Sequence, residues 1–370
     1  MKLFILRLRQ RPRVLVMLDL VQDLDLLLPI AIGIQQHPKL DLQVVATGRV
    51  LEQSPRIQTS FAAAGIKVCS VPHQAVLKGA LPSLRGVAAI VTATETTAGP
   101  HRIARALVLR ANKARIATYT LQHGYENIGL NYTDDVYPFE KIQFASEHIL
   151  IWGDPAWLPA ETPAETRQKC IGVGCPKPAQ PTQDLPQLHH GRRHLIAIFE
   201  NLHWERYSDM YRNQMLEDIA AVAQKFPLVT FLIKPHPAGL WLSNQSEDRL
   251  PKGDNIWVID PRLEQWQAYT APAFIAVADA TISTPSTVVL DAARMGKPVA
   301  VASYDLPLPN YAPLPCLKDI SDWCRFVQTV CSADASKEAL QAQAQTFVAQ
   351  NLIPGDSVAR ILDRILLDVA

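Results

Sequence analysis

Two short polar segments in the second half of the chain combine residue types that bind anions. Residues 234–237 are Lys-Pro-His-Pro and follow an apolar run, and residues 283–287 are Ser-Thr-Pro-Ser-Thr and precede a helical run. Free backbone N–H groups and the positive end of the dipole attract anions at a helix start, and ligands of open α/β sheets bind at the carboxyl ends of the strands. We therefore predict a phosphate or pyrophosphate site. Its predicted ligands are Lys234, His236, Ser283, Thr284, Ser286 and Thr287.

Each part of this predicted site also has an ordinary structural explanation. His236 could be a solvated turn histidine, but a proline on each side fixes its backbone and favours a functional role. One hydroxyl is enough to cap a helix, so the four hydroxyls at 283–287 favour an anion site over a simple cap. Asp291 is either a cleft residue or a first-turn acid that stabilises the helix through its dipole.

A histidine in the first half of the chain could act as a general base. Residues 122–124 are Gln-His-Gly and follow a predicted buried strand, and the glycine lets a ligand approach. An imidazole with a pKa near neutrality is suited to deprotonate a sugar hydroxyl; the alternative for His123 is a structural loop histidine. Glu126 is the second candidate base, and a reaction that retains configuration needs a carboxylate nucleophile or an equivalent instead. Further predicted cleft residues are Gly124, Asp19, Glu95, Glu200 and Asn201.

Strands and helices alternate along both halves of the chain, which predicts two Rossmann-like α/β domains with parallel sheets. The first half has apolar strands at 13–20 and 87–92 and a helix at 23–36, but no G-x-G-x-x-G dinucleotide motif. A Pro-, Gln- and His-rich segment without periodicity is typical of a linker. We expect the two domains to face each other across a ligand cleft. The predicted divisions are an acceptor domain at 1–178, a linker at 179–193, a nucleotide-donor domain at 194–352 and a terminal helix at 353–370 that packs back on the first domain.

Composition is typical of a globular protein of two domains. The 370 residues exceed the usual size of one core, and 48% hydrophobic with 19% charged residues excludes a disordered chain. A formal charge of +1 gives no reason to expect nucleic acid binding. The six cysteines are scattered without metal-ligand spacing, which indicates reduced thiols in the cytoplasm. No apolar run reaches the roughly 18 residues that span a membrane, and the basic residues 1–13 are either a solvated lead-in or a contact with an anionic membrane surface.

The order of these motifs resembles the glycosyltransferase B (GT-B) fold. The matching segments are Gln-His-Gly at 122–124, Lys-Pro-His-Pro at 234–237, and Ser-Thr-Pro-Ser-Thr at 283–287 with its helix and Gly-Lys-Pro at 296–298. Within that fold the chain is similar to bacterial surface-polysaccharide enzymes, namely CDP-glycerol glycerophosphotransferases and capsule transferases that use CMP-linked 3-deoxy-octulosonate (Kdo). The resemblance implies that His236, Lys234 and the Ser/Thr hydroxyls meet a donor phosphate. It also implies that His123 is the general base.

Two departures from these enzymes leave the donor open. Glycerophosphotransferases usually carry an acidic-Tyr-Ser-Ser loop where this chain has Ser-Thr-Pro-Ser-Thr, and their histidine loop continues differently from residues 125–127. The acidic-acidic-Gly motif of bacterial sialyltransferases is absent from the sequence as well.

We expect a metal-independent transferase, because a lysine, a histidine and a helix start can stabilise the charge of a leaving phosphate without a metal. It needs no cofactor and moves a sugar or glycerol-phosphate from a CMP- or CDP-linked donor to a glycan or glycolipid acceptor of the bacterial surface. Its expected location is the cytoplasm, with peripheral contact to the inner membrane as an option. The two alternatives are a non-hydrolysing UDP-N-acetylglucosamine 2-epimerase and a nucleotide-binding protein without turnover.

Overall fold

The computed structural model describes residues 11–181, 183, 185, 188, 191–236, 239–332 and 335–369. The basic segment at 1–10, the second proline of the Lys-Pro-His-Pro motif and part of the predicted linker lie outside the described residues. The chain divides into two compact units, Met1–Pro178 with Asn351–Ala370 and Ala179–Gln350. In this division the segment predicted as a linker belongs to the second unit.

The first unit is built on a seven-stranded sheet in which all neighbouring strands are parallel. Its strands are β1 (Arg13–Leu18), β2 (Asp41–Thr47), β3 (Val68–Val71), β4 (Val87–Thr92), β5 (Ala117–Leu121), β6 (His148–Ile151) and β7 (Cys170–Gly172). Its first six helices are α1 (Asp23–Gln36), α2 (Gly48–Gln53), α3 (Pro55–Ala63), α4 (His73–Leu77), α5 (Arg102–Lys113) and α6 (Ala164–Lys169). The strand order is β3-β2-β1-β4-β5-β6-β7, so the direction of winding reverses between β1 and β4. Ligands of such sheets bind at the carboxyl edge beside this reversal.

The second unit repeats the plan with a six-stranded parallel sheet. Its strands are β8 (His194–Glu200), β9 (Val229–Pro235), β10 (Ile256–Val258), β11 (Ala280–Ser283), β12 (Val299–Ala302) and β13 (Cys316–Leu317). Its helices are α7 (Asp209–Lys225), α8 (Glu264–Gln267), α9 (Ala271–Val277), α10 (Thr287–Arg294), α11 (Ile320–Cys331) and α12 (Ala335–Asn351). The order β10-β9-β8-β11-β12-β13 reverses between β8 and β11. The central strand β8 therefore lies between the strands that lead to the two predicted phosphate-binding segments.

A last helix, α13 (Ser357–Val369), belongs to the first unit and packs against α1. Gly33 lies in this contact, since a Cβ there would be only 2.8 Å from Val358 Cγ1. The start of the helix is fixed by a hydrogen bond in which Ser357 Oγ donates to the Gly174 carbonyl over 3.0 Å. Helix α13 thus lies with the first 178 residues, although it is the last helix of the chain.

Some of the long periodic elements have the predicted bounds, and the shortest elements gave no signal in the sequence. Helix α1 and strand β4 begin and end at the predicted residues, whereas β1 ends at Leu18 instead of residue 20 and α13 covers 357–369 of the predicted 353–370. Gly65 follows α3 with a φ of 69°. Helices of four to seven residues such as α8 and α9 are too short to show a hydrophobic period. Ser283, predicted as a loop residue, instead ends the buried strand β11. No helix in the described part of the chain is long and apolar enough to cross a membrane.

The docking of α13 can be tested with two residues of the same helix. Ile365 is 0% exposed and Leu367 is 75% exposed. Ile365→Ala is expected to lower the free energy of unfolding by about 2–5 kcal/mol, because it leaves a cavity in packed surroundings. Leu367→Ala is expected to change it by less than about 0.5 kcal/mol. Urea denaturation followed by circular dichroism measures both, and equal losses would contradict docking through this face.

Candidate functional site

The predicted phosphate-binding residues lie at the carboxyl edge of the second sheet. Lys234 belongs to β9 and His236 follows it, whereas Ser283 ends β11 and Thr287 begins α10. Since β8 pairs with both β9 and β11, the loops after these three strands leave the sheet side by side. This is the reversal point at which parallel α/β sheets bind ligands.

Asn201, a predicted cleft residue, joins the loop after β8 to the loop after β11. Its backbone N–H donates to Thr284 Oγ1 over 3.1 Å, and that hydroxyl donates to Asn201 Oδ1 over 2.6 Å. Its side-chain Nδ2 donates to the Pro285 carbonyl over 3.1 Å. The Thr284 N–H also donates to the Phe199 carbonyl over 3.0 Å. Asn201 therefore fixes the Ser/Thr loop relative to β8.

The four hydroxyl residues of the Ser/Thr loop do not have equal access to solvent. Ser283 and Thr284 are 0% exposed, and Ser283 Oγ donates to the Thr284 carbonyl over 2.7 Å. Ser286 caps α10, since its Oγ accepts from the Val288 N–H over 3.3 Å. Ser286 and Thr287 are half-buried. An anion at this helix start would therefore lie next to Ser286 and Thr287. The hydroxyls of Ser283 and Thr284 are buried and form hydrogen bonds inside the unit.

Lys234 is a buried cation at the carboxyl end of β9. The residue is 8% exposed, and its Nζ lies 5.6 Å from the centre of the Phe274 ring. Burial lowers the pKa of the ammonium from 10.5 to about 8, and the charge of Glu200 opposes this shift. Lys234 is therefore mainly protonated at neutral pH. Phe274 lies on α9, a helix that the sequence pattern did not reveal.

Glu200, a predicted cleft residue at the end of β8, is a buried acceptor for the neighbouring loops. It is 4% exposed, and its Oε2 accepts from the Leu202 N–H over 2.7 Å. Burial raises the pKa of the carboxyl group, and the backbone N–H groups of Leu202, Leu242 and His236 oppose the rise together with Lys234. This carboxylate therefore supports the loop after β9 and compensates the charge of Lys234.

His236 is paired with a second histidine that the sequence motif did not identify. The His203 and His236 rings lie 4.8 Å apart between centroids, with 34° between their planes. Burial, together with the nearby His203 and Lys234, lowers the pKa of His236 to about 4. A neutral His236 can donate one N–H to a phosphate oxygen. The position of His203 after the first strand of the second half was visible in the sequence, but its partner depends on the adjacency of β8 and β9.

Asp291 is not a first-turn acid. Helix α10 begins at Thr287, which puts Asp291 in its second turn, where the helix dipole has less effect. The residue is 2% exposed. Its proposed place in a cleft stays a prediction.

His123, the predicted base of the first unit, lies in the loop after β5. Its backbone N–H donates to Asn127 Oδ1 over 3.1 Å, and its ring packs edge-on against His101 at 5.7 Å. Its Nδ1 is buried and has no hydrogen-bond partner among the described residues. Burial lowers the pKa of this imidazole to about 4. His101 gave no signal in the sequence, because it precedes α5 and meets His123 only in the folded sheet.

The other candidates in the histidine loop differ in exposure. Gly124 is buried, and its carbonyl accepts from Gln122 Nε2 over 2.8 Å. Gln122 also accepts from the Trp152 N–H over 2.9 Å, which ties the loop to the end of β6. Glu126 is half-buried. Glu126 therefore stays a prediction as the alternative base to His123, and it lies in a loop that hydrogen bonds hold in place.

Asp19 lies at the reversal point of the first sheet. Its Oδ1 accepts from Thr47 Oγ1 over 3.1 Å, and burial raises the pKa of its carboxyl group. Its backbone N–H donates to Asp23 Oδ2 over 2.8 Å. Asp23 and Asp25 form an Asp-x-Asp triplet, but Asp25 pairs with Arg56 at 2.8 Å. These aspartates serve the start of α1, and the described residues contain no cluster of three His, Cys, Asp or Glu that could hold a metal ion.

Glu95 has a structural environment. The side chain is 0% exposed, and its two oxygens accept from the Ser146 N–H over 2.7 Å and the Ala145 N–H over 3.2 Å. Arg105 lies 3.5 Å from the same carboxylate. These contacts hold the loop before β6, which favours a positioning role over contact with a substrate.

Solved structures match nearly the whole chain, whereas no protein-family model and no curated protein sequence matches it. Staphylococcus aureus MnaA, solved with UDP, aligns with a TM-score of 0.69 and 13% identity over 97% of this chain and 98% of that chain. UDP-GlcNAc 2-epimerase from Neisseria meningitidis, bound to UDP-GlcNAc, aligns with a TM-score of 0.66 and 13% identity over 96% and 99% of the two chains. The spinosyn rhamnosyltransferase SpnG aligns with a TM-score of 0.56 and 13% identity over 95% and 100%.

Similarity at this level of identity establishes the fold. The chain consists of two Rossmann-like units and has the GT-B fold, as the order of its motifs predicted. The finer resemblance to CDP-glycerol and Kdo transferases stays a prediction. Because one fold carries many chemistries, the activity must be argued from the site.

The role of the Asn201–Thr284 contact can be tested against a neighbouring threonine. Thr284→Val removes the hydroxyl that bonds Asn201 twice, and is expected to lower the free energy of unfolding by about 1–3 kcal/mol. Thr281→Val is the control, since its buried Oγ1 has no hydrogen-bond partner among the described residues. That change is expected to be neutral or stabilising. Chemical denaturation compares the two, and an equal loss for both would contradict the contact.

Proposed function

We propose that this protein is a metal-independent cytoplasmic transferase that binds a nucleotide-activated donor in its second unit. It moves a sugar or glycerol-phosphate from a CMP- or CDP-linked donor to a bacterial surface glycan or glycolipid. The observation that supports this proposal most is the meeting of Lys234, His236 and the α10 start at one edge of one parallel sheet. Contact of residues 1–10 with the inner membrane is part of the proposal but lies outside the described residues.

Transfer from such a donor develops negative charge on the leaving phosphate. Lys234 contributes a partly desolvated cation, His236 a neutral N–H donor, and the α10 start the positive end of its helix dipole. A hydrogen bond to a charged group contributes about 1.5–3 kcal/mol. Since about 1.4 kcal/mol changes a rate tenfold, two such bonds that strengthen in the transition state account for a large acceleration.

The acceptor hydroxyl must lose a proton as it attacks the donor. We assign this step to His123, whose imidazole is neutral at pH 7 and so can accept a proton. Its pKa of about 4 makes it a weaker base than the near-neutral imidazole expected from the sequence. Glu126 is the second candidate, and it would also serve as a carboxylate nucleophile if the reaction retains configuration. Asp19 and Glu95 are weaker candidates for the general base, because their carboxylates already accept hydrogen bonds from backbone or side-chain donors.

A second candidate function is an epimerase that acts on UDP-GlcNAc without an acceptor. It is supported by the structural neighbours, because the UDP-GlcNAc 2-epimerase from N. meningitidis has a higher TM-score to this chain than SpnG. The two functions differ in one observable. A transferase consumes donor only when an acceptor is present, whereas an epimerase interconverts two nucleotide sugars alone. A protein that binds nucleotide and does neither would be a binding protein.

Separate substitutions of the two histidines test the assignment of donor and base. With CMP, CDP, UMP, UDP and GDP as ligands, His236→Ala is expected to remove the nucleotide-induced rise in melting temperature, because it deletes a phosphate contact. His123→Ala is expected to keep that rise and to lose turnover. Differential scanning fluorimetry and donor consumption measure these effects, with His37→Ala at the end of α1 as the control. Full turnover in His123→Ala would show that another residue is the general base.

The charge of Lys234 predicts an alkaline limit to nucleotide binding. Its pKa is about 8 in the free protein. A bound phosphate stabilises the ammonium and raises its pKa, so binding takes up a proton above this pH. Affinity for the diphosphate ligand that binds most tightly should therefore fall above pH 8, by up to about tenfold per pH unit.

Calorimetric titration from pH 7 to 10 measures this dependence. Lys234→Met is the control, and its affinity should be low and independent of pH over the same range. Circular dichroism must confirm that it folds, because Glu200 loses its compensating charge in this variant. An unchanged pH dependence in Lys234→Met would exclude Lys234 as the titrating group.

A further inference from the structure

Tyr207 connects the interior of the second unit to the Ser/Thr loop. The residue is 1% exposed and lies just before α7. Its hydroxyl donates to Asn201 Oδ1 over 2.6 Å and lies 3.5 Å from the Pro285 carbonyl oxygen. Tyr207 therefore contacts Asn201, the residue that holds the Ser/Thr loop, through one hydrogen bond.

The side-chain amide of Asn201 is fixed from both ends. Its Oδ1 accepts from Tyr207 Oη and from Thr284 Oγ1, both over 2.6 Å. Its Nδ2 donates to the Pro285 carbonyl over 3.1 Å. An amide oxygen has two lone pairs, so the two donors use both of them. Loss of the phenol hydroxyl leaves one oxygen lone pair free and lets the amide turn away from Pro285.

We propose that Tyr207 is a positioning residue for phosphate binding. It holds the Asn201 amide, and Asn201 holds the loop at 284–285, which fixes Ser286 and the positive end of the α10 dipole in the unliganded protein where the phosphate would bind. This inference rests on the proposed function, because it assumes that a phosphate binds at α10. Its physical basis is preorganisation, since a loop that is already ordered loses less entropy when a ligand binds.

Tyr211 offers a matched control one turn further along the chain. It is also 1% exposed, and its hydroxyl donates to the Ala302 carbonyl over 2.6 Å. The two rings pack at 4.7 Å between centroids. Tyr207→Phe and Tyr211→Phe each remove one buried hydroxyl and one short hydrogen bond, but only the first contacts Asn201. A merely structural role predicts the same behaviour for both variants.

The first measurement needs no ligand. Hydrogen–deuterium exchange of the intact chain reports on the N–H groups of Asn201, Thr284 and Val288. These groups donate to Thr284 Oγ1, the Phe199 carbonyl and Ser286 Oγ, so the ordered loop protects them from exchange. In Tyr207→Phe these are expected to exchange roughly fivefold faster, as for the loss of one hydrogen bond of ordinary strength. In Tyr211→Phe they are expected to keep the wild-type rate. Equal exchange in Tyr207→Phe and wild type would overturn the inference.

The second measurement is the affinity for UDP and CDP at pH 7.5. Both variants should lose a similar amount of thermal stability, but only Tyr207→Phe should bind roughly five- to tenfold more weakly. Wild-type affinity in Tyr207→Phe, or an equal loss in Tyr211→Phe, would overturn the positioning role. If the wild-type protein binds neither nucleotide nor the other three of the panel, the proposed function fails and the phosphate role of Tyr207 falls with it. The exchange data then still decide whether Tyr207 holds the loop.

Discussion

The hydrogen bonds made at the end of strand β8 determine the geometry of the candidate site. Asn201 joins β8 to the Ser/Thr loop, and the preceding residue, Glu200, supports the loop after β9. The strand order explains why two consecutive residues can do this, since β8 lies between β9 and β11. The segment with Lys234 and the loop before α10 are therefore both contacted by residues at the end of β8.

At the carboxyl edge of the second sheet, burial disfavours the charged forms of Lys234 and His236, and a bound anion would favour them. Lys234 is buried with a pKa near 8, and burial keeps His236 neutral with a pKa near 4. Removing a charge from water costs free energy unless a partner compensates it, and Glu200 compensates Lys234 only in part. A phosphate would supply the missing counter-charge. Under the proposed function, the site trades some stability of the free protein for phosphate affinity, as functional sites commonly do.

The two units use their buried acids and histidines differently. In the first unit Glu95 is occupied by backbone N–H groups, and His123 packs against His101 with its Nδ1 buried. In the second unit Glu200 and His203 border the predicted phosphate-binding residues. The shared fold does not decide between transfer and epimerisation, because it determines where ligands bind and not which bond is made.

The sequence by itself determined the fold class, most of the long elements and the two polar segments that make up the proposed site. Hydrophobic periodicity over α1, β4 and α13 depends only on neighbours along the chain, and the Lys-Pro-His-Pro and Ser-Thr-Pro-Ser-Thr motifs depend only on residue type. Only the tertiary structure decided that Ser283 and Thr284 point inward, that His203 meets His236 and that Tyr207 reaches Asn201. Those contacts join residues on different strands and loops, so they follow from sheet order and register, which no local pattern of residues records.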